Sequence, residues 1–370
     1  MRELAPKTFS TPRVAIVHYW LVSMRGGERV IERLLHLYPG ADVFTHVYAP
    51  DRMSAKIAES NVSTSFINRL PMSRRLYQYY LPLMPMALEE LDLSGYDLVI
   101  SSESGPAKGV ITRPGSFHVC YCHSPMRYLW DHYHQYKSSA NPLARLVMPA
   151  MYHRLRQWDI ASSARVDKFV ANSRFVRQRI EKVWRRDADV VHPPVDISLF
   201  RPSAERGDFY LWVGQFVPYK RPDLAVDAFT ESGLPLVMVG SGPLARQLRA
   251  RAGANVTFFD RLGFDDLRRA YAECRAFVIT GEEDFGITPV EAMASGRPVV
   301  AYARGGVLDS VIEDRTGIFF DRQDAACLVE AVERMEQFLK YFDPDDAVRQ
   351  SSKFSPEVFD ARMAELTALV

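Results

Sequence analysis

Two carboxylates, Glu283 and Glu291, stand seven intervening residues apart in the segment EEDFGITPVEAMASGRPVVAYARGG, residues 282–306, directly after the short apolar run AFVIT. A segment that follows a buried strand lies at its carboxyl end, the edge at which open α/β sheets bind ligands. Thr288, Pro289 and Glu291 read as the N-cap, first and third positions of a helix, whose free amides and positive dipole end suit a diphosphate. The same residues also make a capping box, which needs no ligand, so alone they leave both readings open. In YCHSPMRYLWD, His123 falls where a strand gives way to a loop, a position that suits chemistry as well as plain structure. Arg127, Trp130 and Asp131 follow on that loop.

The elements that must position these residues are legible as apolar runs bounded by turn residues. RVAIVHYW, YDLVISS, FHVCYCH, KFVANS and DVVHPP lie in the first half, and FYLWVGQF, LPLVMVG, NVTFF, AFVIT and RPVVAYA in the second. Runs apolar on both faces that alternate with helical patterns predict parallel sheets covered by helices. The fold expected is therefore α/β, two doubly wound Rossmann-like domains facing each other across a cleft. Pro193, Pro194 and Pro202 punctuate a stretch without period, which sets the boundary near 192–205. That gives an N-terminal domain over 1–195 and a C-terminal domain over 196–345. DPDD after Phe342 reads as a loop, and the amphipathic segment from Pro356 to Val370 reads as a helix, with 346–370 crossing back to the N-terminal domain.

Composition removes other classes. A chain of 370 residues with 47% hydrophobic and 25% charged residues is long enough for two cores and is neither disordered nor fibrous. Lys and Arg (46) nearly cancel Asp and Glu (45), which argues against a nucleic-acid partner held by bulk phosphate neutralisation. The four cysteines are scattered and read as buried reduced thiols. MRELAPKTFS lacks the apolar stretch of a signal peptide and no run is long enough to span a membrane, so a cytoplasmic location is expected.

In combination these motifs resemble glycosyltransferase family 4, retaining enzymes of the GT-B fold, over nearly the whole chain and in the family's order. RGGERVIERL resembles its glycine loop, which implies that Gly26 and Gly27 let backbone amides approach the donor phosphate. His123 matches a histidine that the family places close to the transferred sugar. Lys220, in FYLWVGQFVPYKRPDLAV, matches the lysine on the donor diphosphate, a flexible ammonium able to neutralise it as it leaves. Gln215 stands where an arginine is usual, a departure that Arg221 could offset. VMVGSGPL and FFDRLGFDDL resemble the segments that place Gly240 and Gly242 beside the nucleotide and Arg261 against its base, although Asp260 replaces a frequent glycine. The resemblance further implies that Glu291 accepts from the ribose, Glu283 from the sugar, and the amides of Phe285, Gly286 and Ile287 cradle the diphosphate. Ser173, ahead of a helix in DKFVANSRFVRQRI, reads as an N-cap.

The function this implies is a retaining hexosyltransferase that needs no metal and no cofactor beyond its nucleotide sugar, since no Asp-x-Asp sits at a strand end. YCHSPMRYLWD and VPYKRPDL look most like mannosyltransferases of bacterial surface polysaccharides, which implies GDP-mannose as donor and a glycan or polyprenyl-diphosphate-linked acceptor. A UDP-sugar glucosyl- or galactosyltransferase is the alternative enzyme. A non-catalytic module of the same fold is the alternative class, disfavoured because both Glu283 and Glu291 are present. An NAD enzyme is disfavoured because MRGGE replaces GxGxxG. Finally, residues 65–91 combine Arg69, Arg74 and Arg75 with Tyr77, Tyr79, Tyr80, Leu81, Leu83, Met84 and Met86, broken by Pro71, Pro82 and Pro85. That mixture suits either helix packing or peripheral contact with an anionic membrane, on the inner face of the plasma membrane.

Overall fold

Each half of the chain winds its strands outward from one pair of neighbours, so that connections leave the carboxyl ends of those two strands in opposite directions. A computed structural model describes residues 12–368; the polar N-terminal stretch read above for a leader lies outside them. Two compact units result, 12–172 with 177–191 and 362–368, and 173–176 with 192–361. The first holds β1 (Val14–His18), β2 (Asp42–Thr45), β3 (Val62–Thr64), β4 (Leu98–Glu103), β5 (Phe117–Cys122), β6 (Lys168–Ala171) and β7 (Asp189–Val190). Their order is β3-β2-β1-β4-β5-β6-β7, all parallel, and the winding reverses between β1 and β4. β1 and β4 are buried along their whole lengths, the consequence of cover on both faces.

The second unit holds β8 (Tyr210–Val213), β9 (Leu236–Val239), β10 (Val256–Phe259), β11 (Phe277–Ile279), β12 (Val299–Tyr302) and β13 (Gly317–Phe320). They are ordered β10-β9-β8-β11-β12-β13, again parallel, with the reversal between β8 and β11. Ligands of such sheets bind outside the carboxyl ends at the reversal, and His18, Ser102, Lys220 and Glu283 all belong to or follow strands at these two points.

All ten apolar runs form strands. Three strands have no counterpart among those runs: β2 (DVFT), β3 (VST) and β13 (GIFF). β3 and β13 are edge strands, where pairing rather than a long apolar run defines the element. DPDD is not a loop as expected: Asp343 caps a helix Pro344–Ser351 by accepting from the amide of Asp345, and Asp345 and Asp346 form its acidic first turn. The last helix, Pro356–Thr367, buries Phe359, Met363 and Leu366, one amphipathic face, and Thr367 hydrogen-bonds Tyr38 within the first unit. All four cysteines are buried thiols.

Candidate functional site

In the second unit, β8 ends at Val213 and the chain turns at Gly214 into a short 3-10 turn, Pro218–Lys220. That turn is fastened by Thr280, just past β11. Its buried hydroxyl lies 2.9 Å from the carbonyl of Lys220 and 2.8 Å from that of Arg221, and it accepts from Trp212 Nε1 at 3.2 Å. Gly281 completes the contact, because a Cβ there would lie 2.6 Å from Lys220 Cα. Neither Thr280 nor Gly281 stood out in the sequence; the signal was their place directly after a strand at the sheet's reversal. The result is an ion pair, Lys220 Nζ to Glu283 Oε1 at 2.5 Å, with both side chains about one-fifth exposed.

Glu283 is itself held by backbone. It bridges Gly305, and its carbonyl accepts from the amide of Gly306 at 2.8 Å. A Cβ on Gly306 would fall 2.2 Å from the carbonyl of Asp284, so Gly306 has room for no side chain. Gly240 and Gly242 play the same part against the β8 loop: φ values of 153° and 154° and would-be Cβ atoms 1.8 Å from Gly214 O and 2.6 Å from Phe216 O demand glycine. Gln215 is exposed, while Arg221, in the left-handed region at φ 50°, directs its guanidinium to Asp223 and the carbonyl of Gln323. Arg261 and Asp260 are exposed, Asp260 paired with Arg249 at 2.8 Å.

The helix after Glu283 starts one residue before Thr288. It spans Ile287–Ala294 with Gly286, at φ 86°, as its N-cap, so Thr288 is not the cap and Glu291 is not part of a capping box. The physical reason is that Gly286 adopts a positive φ that closes the loop first. Glu291 instead sits past the first turn, half-buried, and its Oε2 accepts from Tyr271 at 2.9 Å. Phe285 is buried, its ring packed against His192 and Phe354. Ser173 accepts from the amide of Val176 at 3.1 Å, as an N-cap does, and also donates to the carbonyl of Asp284.

In the first unit, Gly26 and Gly27 open the helix Gly26–Leu37, whose start is capped by Glu28 Oε2 accepting from the amide of Arg25 at 2.9 Å. A Cβ on Gly27 would lie 2.9 Å from the Tyr19 hydroxyl and 3.7 Å from His123 Nε2, so the glycine loop and His123 are brought together. His123 is half-buried, its amide held by the carbonyl of Glu103 at 2.8 Å. Asp131 pairs with Arg179 at 2.6 Å, and Arg127 is half-buried in the same turn, its carbonyl accepting from the amide of His132. Trp130 points its indole N–H to Asp159 Oδ2 at 2.8 Å.

Asp159 belongs to a buried charge cluster that the sequence did not suggest. Lys108, fully enclosed, contacts Asp159 and lies 3.6 Å from Glu103, with the rings of Trp158 and Trp184 against its ammonium. Burial pushes the Glu103 carboxyl up to about 7, with Asp159 adding to the rise and Lys108 opposing it. Its folded pKa thus lies above the unfolded one. The stability it contributes is complete below the ordinary glutamate range and lost as pH rises through about 7. Glu103→Gln, always neutral, should therefore gain stability relative to wild type between about pH 5 and about pH 8. Urea midpoints that move in parallel across that window would refute the expectation.

The chain matches the family model for glycosyl transferases group 1 over residues 199–339 and that for Glycosyltransferase Family 4 over residues 24–199. It is 29% identical over 319 residues to the O-antigen chain mannosyltransferase C of Escherichia coli, covering 80% of this chain and 79% of that protein. An uncharacterized glycosyltransferase of Methanocaldococcus jannaschii is 25% identical over 171 residues, 45% of this chain and 48% of that one, so there the match spans about half of the relative. Among solved structures, Anabaena HepE in complex with UDP and glucose superposes with a TM-score of 0.71 over 97% of this chain and all of that one, at 16% identity.

Proposed function

Because the chain is a family 4 glycosyltransferase with the GT-B fold, we propose that it transfers mannose from GDP-mannose, with retention and without a metal, onto a glycan or polyprenyl-diphosphate-linked acceptor of a bacterial surface polysaccharide. The observation that carries the transferase reading is the Lys220–Glu283 pair at the carboxyl ends of the reversal strands, a cation and a carboxylate held by Thr280 and by glycines that admit no side chain. In this reading Lys220 and the amides of Phe285, Gly286 and Ile287 hold the donor diphosphate, Glu283 accepts from sugar hydroxyls and Glu291 from the ribose. The diphosphate departs, the acceptor hydroxyl attacks the same face, and the leaving phosphate oxygen takes its proton, so no side chain is obliged to be the base. His123 lies beside the transferred sugar. Gly26, Gly27, Gln215, Arg221, Gly242 and Arg261 complete the donor contacts, and Arg127 with Trp130 meets the acceptor.

The mannose assignment draws its support from the Escherichia coli relative, whose name is that of a mannosyltransferase; a UDP-sugar donor is the competing reading, since the Anabaena structure carries UDP and glucose. Thermal melts with GDP and UDP separate them, because a ligand that binds the folded state raises its stability in proportion to the logarithm of its concentration. Stabilisation by UDP alone, or product from UDP-glucose but not GDP-mannose, overturns the donor assignment.

The lipid-linked acceptor implies a peripheral site on the inner face of the membrane. No helix among the described residues is long and apolar enough to cross a membrane. Residues 65–91 break into short turns and helices, and the structure divides them: Leu81 and Met84 are buried in a core shared with Met148 and Tyr152, whereas Met72, Tyr79, Leu83, Met86 and the three arginines are exposed. Exposed Leu143, Leu146 and Val147 start the helix Pro142–Ser163, which packs on the same core. Replacing Arg69, Arg74 and Arg75 by Ser should weaken sedimentation with anionic vesicles and activity on lipid-linked acceptor while sparing donor hydrolysis. Unchanged sedimentation would return the segment to a purely structural role.

A further inference from the structure

Four side chains form a line from the interior of the first unit to the half-buried His123. His18 ends β1 and is the register partner of Ser102 in β4, so the two side chains stand next to each other on one face of the sheet. His18 Nδ1 is 3.0 Å from Ser102 Oγ, and the same Oγ is 2.8 Å from His123 Nε2. At the inner end, His18 Nε2 makes no hydrogen bond and faces Glu28 Oε1 at 3.8 Å, while Glu28 Oε2 accepts from the amide of Arg25. His18 and Ser102 are fully buried and Glu28 is 2% exposed. Polar groups enclosed in this way are costly unless each finds a partner, so their alignment constrains all four.

A serine hydroxyl has one proton. Ser102 can donate to one imidazole and must accept from the other, so the direction of the whole line follows from the state of its inner end. The amide of Arg25 donates to Glu28 Oε2 at 2.9 Å, which favours the carboxylate over the acid. A carboxylate accepts only, so a neutral His18 carries its proton on the Nε2 that faces it. His18 Nδ1 then accepts from Ser102, and Ser102 accepts from His123.

We propose that Glu28, His18 and Ser102 are positioning residues that fix His123 as the Nε2–H tautomer and so give it an unprotonated Nδ1. This rests on the reading of His123 as a residue beside the reacting sugar, but the tautomer can be read without turnover, so the two fail separately. Glu28→Gln is the decisive variant. Its carboxamide oxygen can still accept from Arg25 while its NH2 donates to His18 Nε2, which reverses every hydrogen bond in the line and moves the His123 proton to Nδ1.

The experiment is long-range 1H–15N correlation on full-length protein labelled in its nine histidines, with His123 assigned by its loss in His123→Gln. The expected result is an Nε2–H tautomer in wild type and an Nδ1–H tautomer in Glu28→Gln. With it, kcat falls by about tenfold or more, the size of one misdirected hydrogen bond in the transition state, at a donor KM changed less than about twofold. Ser102→Ala removes the oxygen that joins the two imidazoles, so Glu28→Gln added to it should leave the His123 tautomer where Ser102→Ala alone puts it. A wild-type His123 protonated on Nδ1, or one whose tautomer ignores both variants, overturns the proposal. Correct tautomers together with full activity in His123→Gln would keep the line and overturn the role of His123 instead.

Discussion

Replacing Lys220 by alanine lowers kcat by about 10²–10³-fold, the range for deletion of one preorganised group facing developing charge, and leaves the urea midpoint nearly unchanged. The two halves of this result have separate causes. The turn that carries Lys220 is held by the Thr280 hydroxyl and by the close approach of Gly281 to its backbone, neither of which involves the ammonium. The pair with Glu283 is partly exposed, and such pairs contribute about 0–1 kcal/mol to folding. On the proposed reading the same ammonium faces a diphosphate gaining charge in the transition state, where its effect is largest. Thr280→Val gives the complementary outcome: it removes the hydroxyl that the Lys220 and Arg221 carbonyls and the Trp212 indole share, so both midpoint and kcat fall. Steady-state kinetics beside urea melts decide the matter. A Lys220→Ala protein that loses stability and activity in step would make Lys220 a structural residue.

The sequence made the sheets legible because parallel strands buried on both faces leave long apolar runs, and every such run became a strand. It was silent on β2, β3 and β13. VST has too little apolar content to stand out, and DVFT and GIFF, as long as several of the strands that were read, are defined by pairing with neighbours that a linear reading does not see. The site divides similarly. Glu283, Lys220, His123 and the glycines stand out by their residue types, and they could be named as candidates. Thr280 and Gly281 could not, because their importance lies in what approaches them across 60 residues of chain, and the Ser102 hydroxyl is indistinguishable in sequence from any strand serine. The misplaced helix start has the same origin. Thr-Pro-x-Glu is a good local cap, but Gly286 with its positive φ takes the cap two residues before Thr288, and local propensity yields to loop geometry.

That earlier start alters what Glu291→Ala is expected to do. Were Glu291 in a capping box, truncation would weaken the helix end itself. Instead its Oε2 accepts from Tyr271, whose ring is completely buried and whose phenol burial pushes far up. Removing the carboxylate strands that hydroxyl in the interior, at a cost of about 1–3 kcal/mol. Taking both partners away is milder than taking one, so Glu291→Ala combined with Tyr271→Phe should recover most of the lost stability. Activity should behave otherwise. If Glu291 is the ribose acceptor, the single and double variants both lose about 100-fold or more in kcat/KM, of the order of a charged hydrogen bond of about 3 kcal/mol, while Tyr271→Phe alone keeps most of it. Urea melts and donor kinetics on the four proteins of this cycle separate the roles. Recovery of kcat/KM in the double variant alongside stability would mean that Glu291 acts only through Tyr271, and the ribose contact would have to be sought elsewhere at the end of β11.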